Sequence, residues 1–192
     1  EIELPYTGDF TFRDDQRVAV NVHILGEKLV DGVVHYQVQI LEIAQLLTKQ
    51  PMYSSRLAEY EQAPGNDPVN VLSAWFTGNY LNSEFQIMYN NETVDHFINL
   101  VVIEEHPETD EDNIYVEVRH NANGDSPLES GLGAVAFDIR KFIPEGKNSV
   151  TIHLSYRMYN GQTQNYEWEY KRGKVETQMN QRKMSKLITN IR

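Results

Sequence analysis

The chain has no cysteine in its 192 residues. A disulfide framework, a zinc–thiolate centre and a cysteine nucleophile are excluded at once. Basic charge is scarce: 17 lysines and arginines face 28 aspartates and glutamates, for a net charge of −11. An acidic body repels phosphate backbones, so no nucleic acid is expected as a partner. Long apolar runs are missing too. INLVVI at 98–103 is strand-sized, far from the roughly 20 residues of a membrane helix. No HExxH, GxSxG or phosphate-loop motif occurs. At this length a chain buries roughly 70% of its unfolded surface, so it folds without metal or disulfide.

The few basic residues are unevenly placed. Residues 171–192 hold seven of them against Glu176 alone, a local charge of +6 that leaves −17 for the rest. Met184, Leu187, Ile188 and Ile191 fall on one helical face, so a basic, helical C-terminal tail is expected over 173–192. The chain opens on Glu1 rather than Met. The expectation is a processed, secreted protein with its signal peptide removed.

Alternation at period two dominates the remainder, and it marks strands with one buried face. RVAVNVHIL (17–25) and VVHYQVQILEI (33–43) read as a hairpin joined through GEKLVDG (26–32), with FTF at 10–12 as a third strand. These make a small all-β N-terminal unit over 1–55. Pro51, Pro64, Pro68 and the GND at 65–67 interrupt the pattern, and 56–68 reads as a linker. SSRLAEYE (54–61) offers one helical turn capped by Ser54 or Ser55. From 69 to 172 short strands recur between polar turns, the pattern of a β-sandwich. VNVLSAWF (69–76) slips phase between Val71 and Leu72, which predicts a bulge. VDHFINLVVI (94–103) is almost continuously apolar, as in a strand covered on both faces. NG at 160–161 predicts a hairpin turn.

The sharpest polar feature is a pair of histidines in phase with core residues. His96 follows the phase of Ile98, Leu100 and Val102, and His120 that of Val116 and Val118. Treating 94–103 and 114–120 as a hairpin with Ile103 opposite Ile114 puts Phe97 across from His120 and His96 across from Asn121. A zinc site there needs a third ligand, for which Asp95, Asp125 and Glu129 are the candidates. A buried, hydrogen-bonded pair that satisfies nearby loop backbone is the favoured reading, because an unsatisfied buried donor costs about 1–3 kcal/mol. His120 is then a structural plug, and neither a metal nor a cofactor is expected. The acidic loop EEHPETDEDN (104–113) lacks EF-hand spacing and reads as a solvated loop. Trp75, Tyr80, Trp168 and Tyr170 offer stacking surfaces for a sugar, although strand aromatics usually pack in the core.

Four segments in order, GNDPVNVLSAWFTGNYLNSEF (65–85), DHFINLVV (95–102), VRHN (118–121) and GAVAFDI (133–139), resemble the NigD-like family of Gram-negative gut and oral bacteria. Val118 and Ala136 stand where that pattern more often has a larger residue and a serine. The resemblance implies an OB-type N-terminal domain followed by an immunoglobulin-like β-sandwich, and a secreted envelope protein. Any contact with membrane would come through a lipid anchor on a cysteine outside this chain. It also implies a bacteriocin-immunity type of role and carries over no catalytic residue. Trp75, His96, Arg119, His120 and Asn121 match the motif and are the candidate binding residues. The expected protein is therefore all-β, non-enzymatic and located at the cell envelope, with another protein as its partner. The alternatives are a surface-glycan-binding module built on aromatics and a metal protein built on His96 and His120.

Overall fold

Eleven strands carry the computed structural model, which describes residues 17–173. The chain divides into two compact units, Glu1–Leu46 and Leu47–Arg192. In the first, β1 (Val18–Val30) pairs antiparallel with β2 (Val33–Gln45) as a two-stranded sheet. The expected turn over 26–32 shrinks to Asp31–Gly32, both at positive φ. An Asp-Gly pair adopts the twist that suits a two-residue hairpin, so both strands run on to its edge. The described part of this unit is a ribbon, and no closed barrel is found among the described residues. FTF at 10–12 and the basic tail beyond Gly173 lie outside the described residues.

The second unit is a sandwich of two sheets. The five-stranded sheet has the order β11–β10–β8–β7–β4, from Thr163–Lys171, Ser149–Arg157, Asn113–Asn121, Phe97–Val102 and Met52–Tyr53. The four-stranded sheet has the order β3–β9–β6–β5, from Leu47–Lys49, Glu129–Asp138, Tyr80–Tyr89 and Asn70–Thr77. Most neighbours are antiparallel, but β3–β9, β4–β7 and β8–β10 run parallel. The all-β class and the sandwich agree with the sequence.

The boundary at 55 and the linker over 56–68 do not survive. Leu47 pairs with Val135 and Met52 with Val101, so residues 47–53 are already strands of the sandwich, one in each sheet. Apolar side chains in that stretch find partners on β9 and β7, which a spacer would leave in water. Ser54–Glu59 forms a 3-10 helix, and Ser54 and Ser55 serve Glu104 rather than capping it. Asp67 bridges to His120, and Val69 is fully buried.

The core lies between the sheets. Phe76, Phe85 and Phe137 project from the four-stranded sheet into one cluster with Leu100, Ile152 and Leu154 of the other. Phe76 meets Tyr170 edge-on, with ring centroids 5.2 Å apart, an arrangement that aromatic quadrupoles favour. The register shift between Val71 and Ser73 is the bulge read from the sequence. All of Ile98–Val102 is buried, as expected of a strand flanked by β8 and β4. Phe85 is wholly buried in this cluster. Phe85→Ala should cost about 3–5 kcal/mol in a urea titration, through lost transfer energy and the cavity left behind.

Candidate functional site

β7 and β8 pair one residue away from the expected register: Ile98 lies opposite His120, and Phe97 opposite Asn121. The reason is the pleat. Directly opposed residues of an antiparallel pair point to the same face, so inward Ile98, Leu100 and Val102 must oppose inward His120, Val118 and Val116. The pairing of Ile103 with Ile114 would have set inward residues against outward ones. The phase itself holds. His96, just before β7, and His120, near the end of β8, lie side by side with ring centroids 5.2 Å apart. They are 1% and 2% exposed.

Three loops converge on the pair. The Asn123–Gly124 turn, both residues at positive φ, brings Asp125 N–H to Ala122 O and swings Asp125 back over His96. Asp125 Oδ2 accepts from the backbone N–H groups of Asn90 and Asn91 at 2.7 and 3.0 Å, in the turn between β6 and β7. It also stands 3.2 Å from His96 Nε2. His96 Nδ1 is 2.9 Å from His120 Nε2, and His120 Nδ1 is 2.9 Å from Pro68 O. The GNDP segment docks around that last bond. Asp67 N–H donates to His120 O, Ala122 N–H donates to Asp67 Oδ2, and Asn121 Nδ2 donates to Ala63 O. Gly65 lies against the same strand at φ 71°, where a Cβ would meet His120 O at 2.5 Å.

Donor counting fixes the proton content of this chain. Pro68 O only accepts, so His120 Nδ1 carries a hydrogen. The contact between the rings needs one more. Asp125 takes two backbone donors, and these hold its carboxyl down to about 2, so it is ionised and accepts from His96 Nε2. Three hydrogens on four ring nitrogens give the pair one more proton than two neutral imidazoles. Burial pushes His120 below its ordinary value of 6.5. The third hydrogen therefore lies on the side of the pair that faces Asp125.

The five candidate residues do not form one site. His96, His120 and Asn121 come together. Arg119 points to the outer face, where it binds Glu117 at 2.6 Å. Trp75 alternates with core residues Ala74 and Phe76 and sits half-buried on the outer face of the four-stranded sheet, so the reading of Trp75 as core is corrected. Trp168 packs partly against the core. Of the proposed third ligands, Asp125 reaches His96, and it does so as a hydrogen-bond partner. Among the described residues no group of three potential ligands could hold a metal ion. Asp125 was one of three equal candidates in the sequence. The Asn-Gly turn immediately before it was the signal that could have singled it out.

Known proteins share the sandwich that carries this site. The model of the NigD-like C-terminal beta sandwich domain matches residues 52–170, which spans every segment of the site. No functionally curated protein matches the chain in sequence. Among solved structures, a candidate toxin-related protein of Parabacteroides distasonis is 28% identical with a TM-score of 0.59, over 82% of this chain and 74% of that one. A NigD-like immunity protein of Bacteroides caccae is 22% identical with a TM-score of 0.63, over 81% and 76%. A candidate lipoprotein of Bacteroides fragilis is 14% identical with a TM-score of 0.64, over 90% and 89%. The last two likenesses concern the fold.

Two measurements test the site. Nitrogen-resolved NMR at neutral pH should show three ring N–H hydrogens on His96 and His120 together; two would contradict the count. Stability should fall as pH drops below 6.5, where the unfolded chain takes a proton that His120 resists. It should fall again from about 4 toward 2 as Asp125, ionised and bonded in the fold, is protonated. Asp125→Asn should flatten that lower limb in an acid titration followed by circular dichroism. Separately, Gly65→Ala should cost at least about 2 kcal/mol in urea, from the positive φ and the backbone clash. A neutral outcome there would mean that the GNDP segment is not seated on β8.

Proposed function

The chain belongs to the NigD-like family, and from that premise we propose that it is a non-catalytic protein of the bacterial cell envelope that acts by binding another protein, in the manner of an immunity protein. The observation that carries this reading is the state of the histidine pair. All four ring nitrogens of His96 and His120 are engaged inside the fold, by Asp125, by one another and by Pro68. A general base needs a lone pair within reach of a substrate, and a metal ligand needs one free for the ion. This pair offers neither, so its chemistry is spent on holding three loops together.

Envelope placement rests on likeness. One solved relative of similar fold is a candidate lipoprotein and another an immunity protein. No helix among the described residues is long and apolar enough to cross a membrane. The acidic body, with −17 outside residues 171–192, favours a protein partner of opposite charge over an anionic surface.

The test is protection. The chain, given a lipidation signal and expressed in a sensitive Bacteroides indicator strain, should raise survival at least about tenfold when the strain is challenged with secreted antibacterial proteins of related bacteria. Equal killing with and without the chain, across a panel of such toxins, would remove the immunity reading.

A further inference from the structure

The outer face of the five-stranded sheet carries a groove of about 640 Å³ that the histidine site does not use. The register explains why it is there. On β8, β10 and β11 the outward residues form two rows, Tyr115–His153–Glu167 and Glu117–Ser155–Asn165. Ser155 is small and stands between longer neighbours, which leaves a depression in the middle strand. The first row forms a wall. Tyr115 stacks on His153 at 4.3 Å between centroids, and the acidic loop lays His106 on the other face of Tyr115 at 3.6 Å.

Three carboxylates line this groove, Glu108, Glu117 and Glu167, and none of its described lining residues is a lysine or arginine. Two of the carboxylates are held by one oxygen, and the third, Glu167, stands near a histidine nitrogen beyond hydrogen-bond distance. Tyr115 Oη donates to Glu108 Oε2 at 3.0 Å, Arg119 Nε to Glu117 Oε2 at 2.7 Å, and His153 Nδ1 lies 3.7 Å from Glu167 Oε2. The other oxygen, Oε1, makes no hydrogen bond in any of the three among the described residues. Oriented carboxylates with an unused oxygen beside stacked rings make a receptor for a planar cation. A guanidinium can lie over a ring face and take two carboxylate oxygens.

We propose that this groove is the docking surface for an arginine-bearing segment of a basic protein partner. The inference rests on the protein-binding function proposed above and names its surface and the chemistry of its partner. Charge complementarity selects the occupant: an acidic body steers a basic segment toward it, and the groove supplies local carboxylates and rings. The volume lies in the range of pockets that seat one or a few side chains.

The probe is a labelled peptide of about eight residues with arginine at alternate positions and serine between, titrated against the full chain by fluorescence anisotropy at physiological salt. The result expected is saturable binding that weakens at least about tenfold in Glu167→Lys. The Glu167 side chain is 70% exposed, so that variant keeps its fold. Ser155→Tyr, which fills the depression without changing charge, should weaken binding as much. Glu92→Lys makes the same charge change on an exposed turn outside the groove and should shift affinity by about twofold or less. Absence of saturable binding overturns the proposal. So does equal weakening by Glu92→Lys and Glu167→Lys, which would show attraction to the acidic body alone. Protection in the survival assay that Glu167→Lys leaves intact would also overturn this surface, while the protein-binding function itself would stand.

Discussion

One hydrogen bond, from His120 Nδ1 to Pro68 O, ties together what the sequence keeps far apart. On one side of it stands β8, paired in the centre of a sheet. On the other is the GNDP segment, which leads from the crossing strands into β5. Without that bond the part-buried carbonyl of Pro68 loses its donor, and the segment loses its anchor on the sandwich. The bond constrains the rest of the site in turn. Its hydrogen occupies Nδ1, the facing nitrogen must then deal with His96, and His96 must deal with Asp125. The ionised carboxylate at the far end is held by two backbone N–H groups from a third loop. Buried polar chains of this kind hold only when every member has a partner, and here every ring nitrogen does.

The same chain of bonds explains why residue types that look catalytic are not arranged for catalysis. A His–His–Asp row invites comparison with proton relays. Relays end at an open site, whereas this one ends on a backbone carbonyl and starts at a carboxylate whose side chain is only 4% exposed. Burial lowers the affinity of His120 for a proton, and the ionised Asp125 accepts the hydrogen bond at the other end of the row. The row therefore carries a fixed, balanced charge in a low-dielectric setting.

Strand phase carried most of the fold on the page of the sequence. Alternation assigned His96 and His120 to the core face, located the bulge at Val71 and marked 98–102 as covered on both sides. It failed where period two is silent. The register between β7 and β8 differs by one from that set by the strand ends, because in an antiparallel pair inward residues oppose inward residues. Residues 47–53 were assigned to the wrong unit because their strands are two and three residues long, too short to show alternation. Asp125 could not be told from Asp95 or Glu129, since acids are everywhere and only the turn geometry decides. The outer groove was legible in part: Tyr115, His153 and Glu167 each lie out of phase with the core. Parallel pairing of β8 with β10, which sets them in one row, has no local signature.

The seating of residues 65–68 on β8 also has a kinetic side. It joins positions more than fifty residues apart, and the parallel pairing of β8 with β10 spans nearly forty. Contacts between such distant positions are closed at a loop-entropy cost that slows folding. The histidine row cannot assemble until β7, β8 and three loops have already met, so it should close late, after the sheets have collapsed. In hydrogen exchange the amides of Asp67 and Ala122 would then report the last step of folding and the first step of opening. A chain delivered unfolded across a membrane would stay open to proteases until that step was complete.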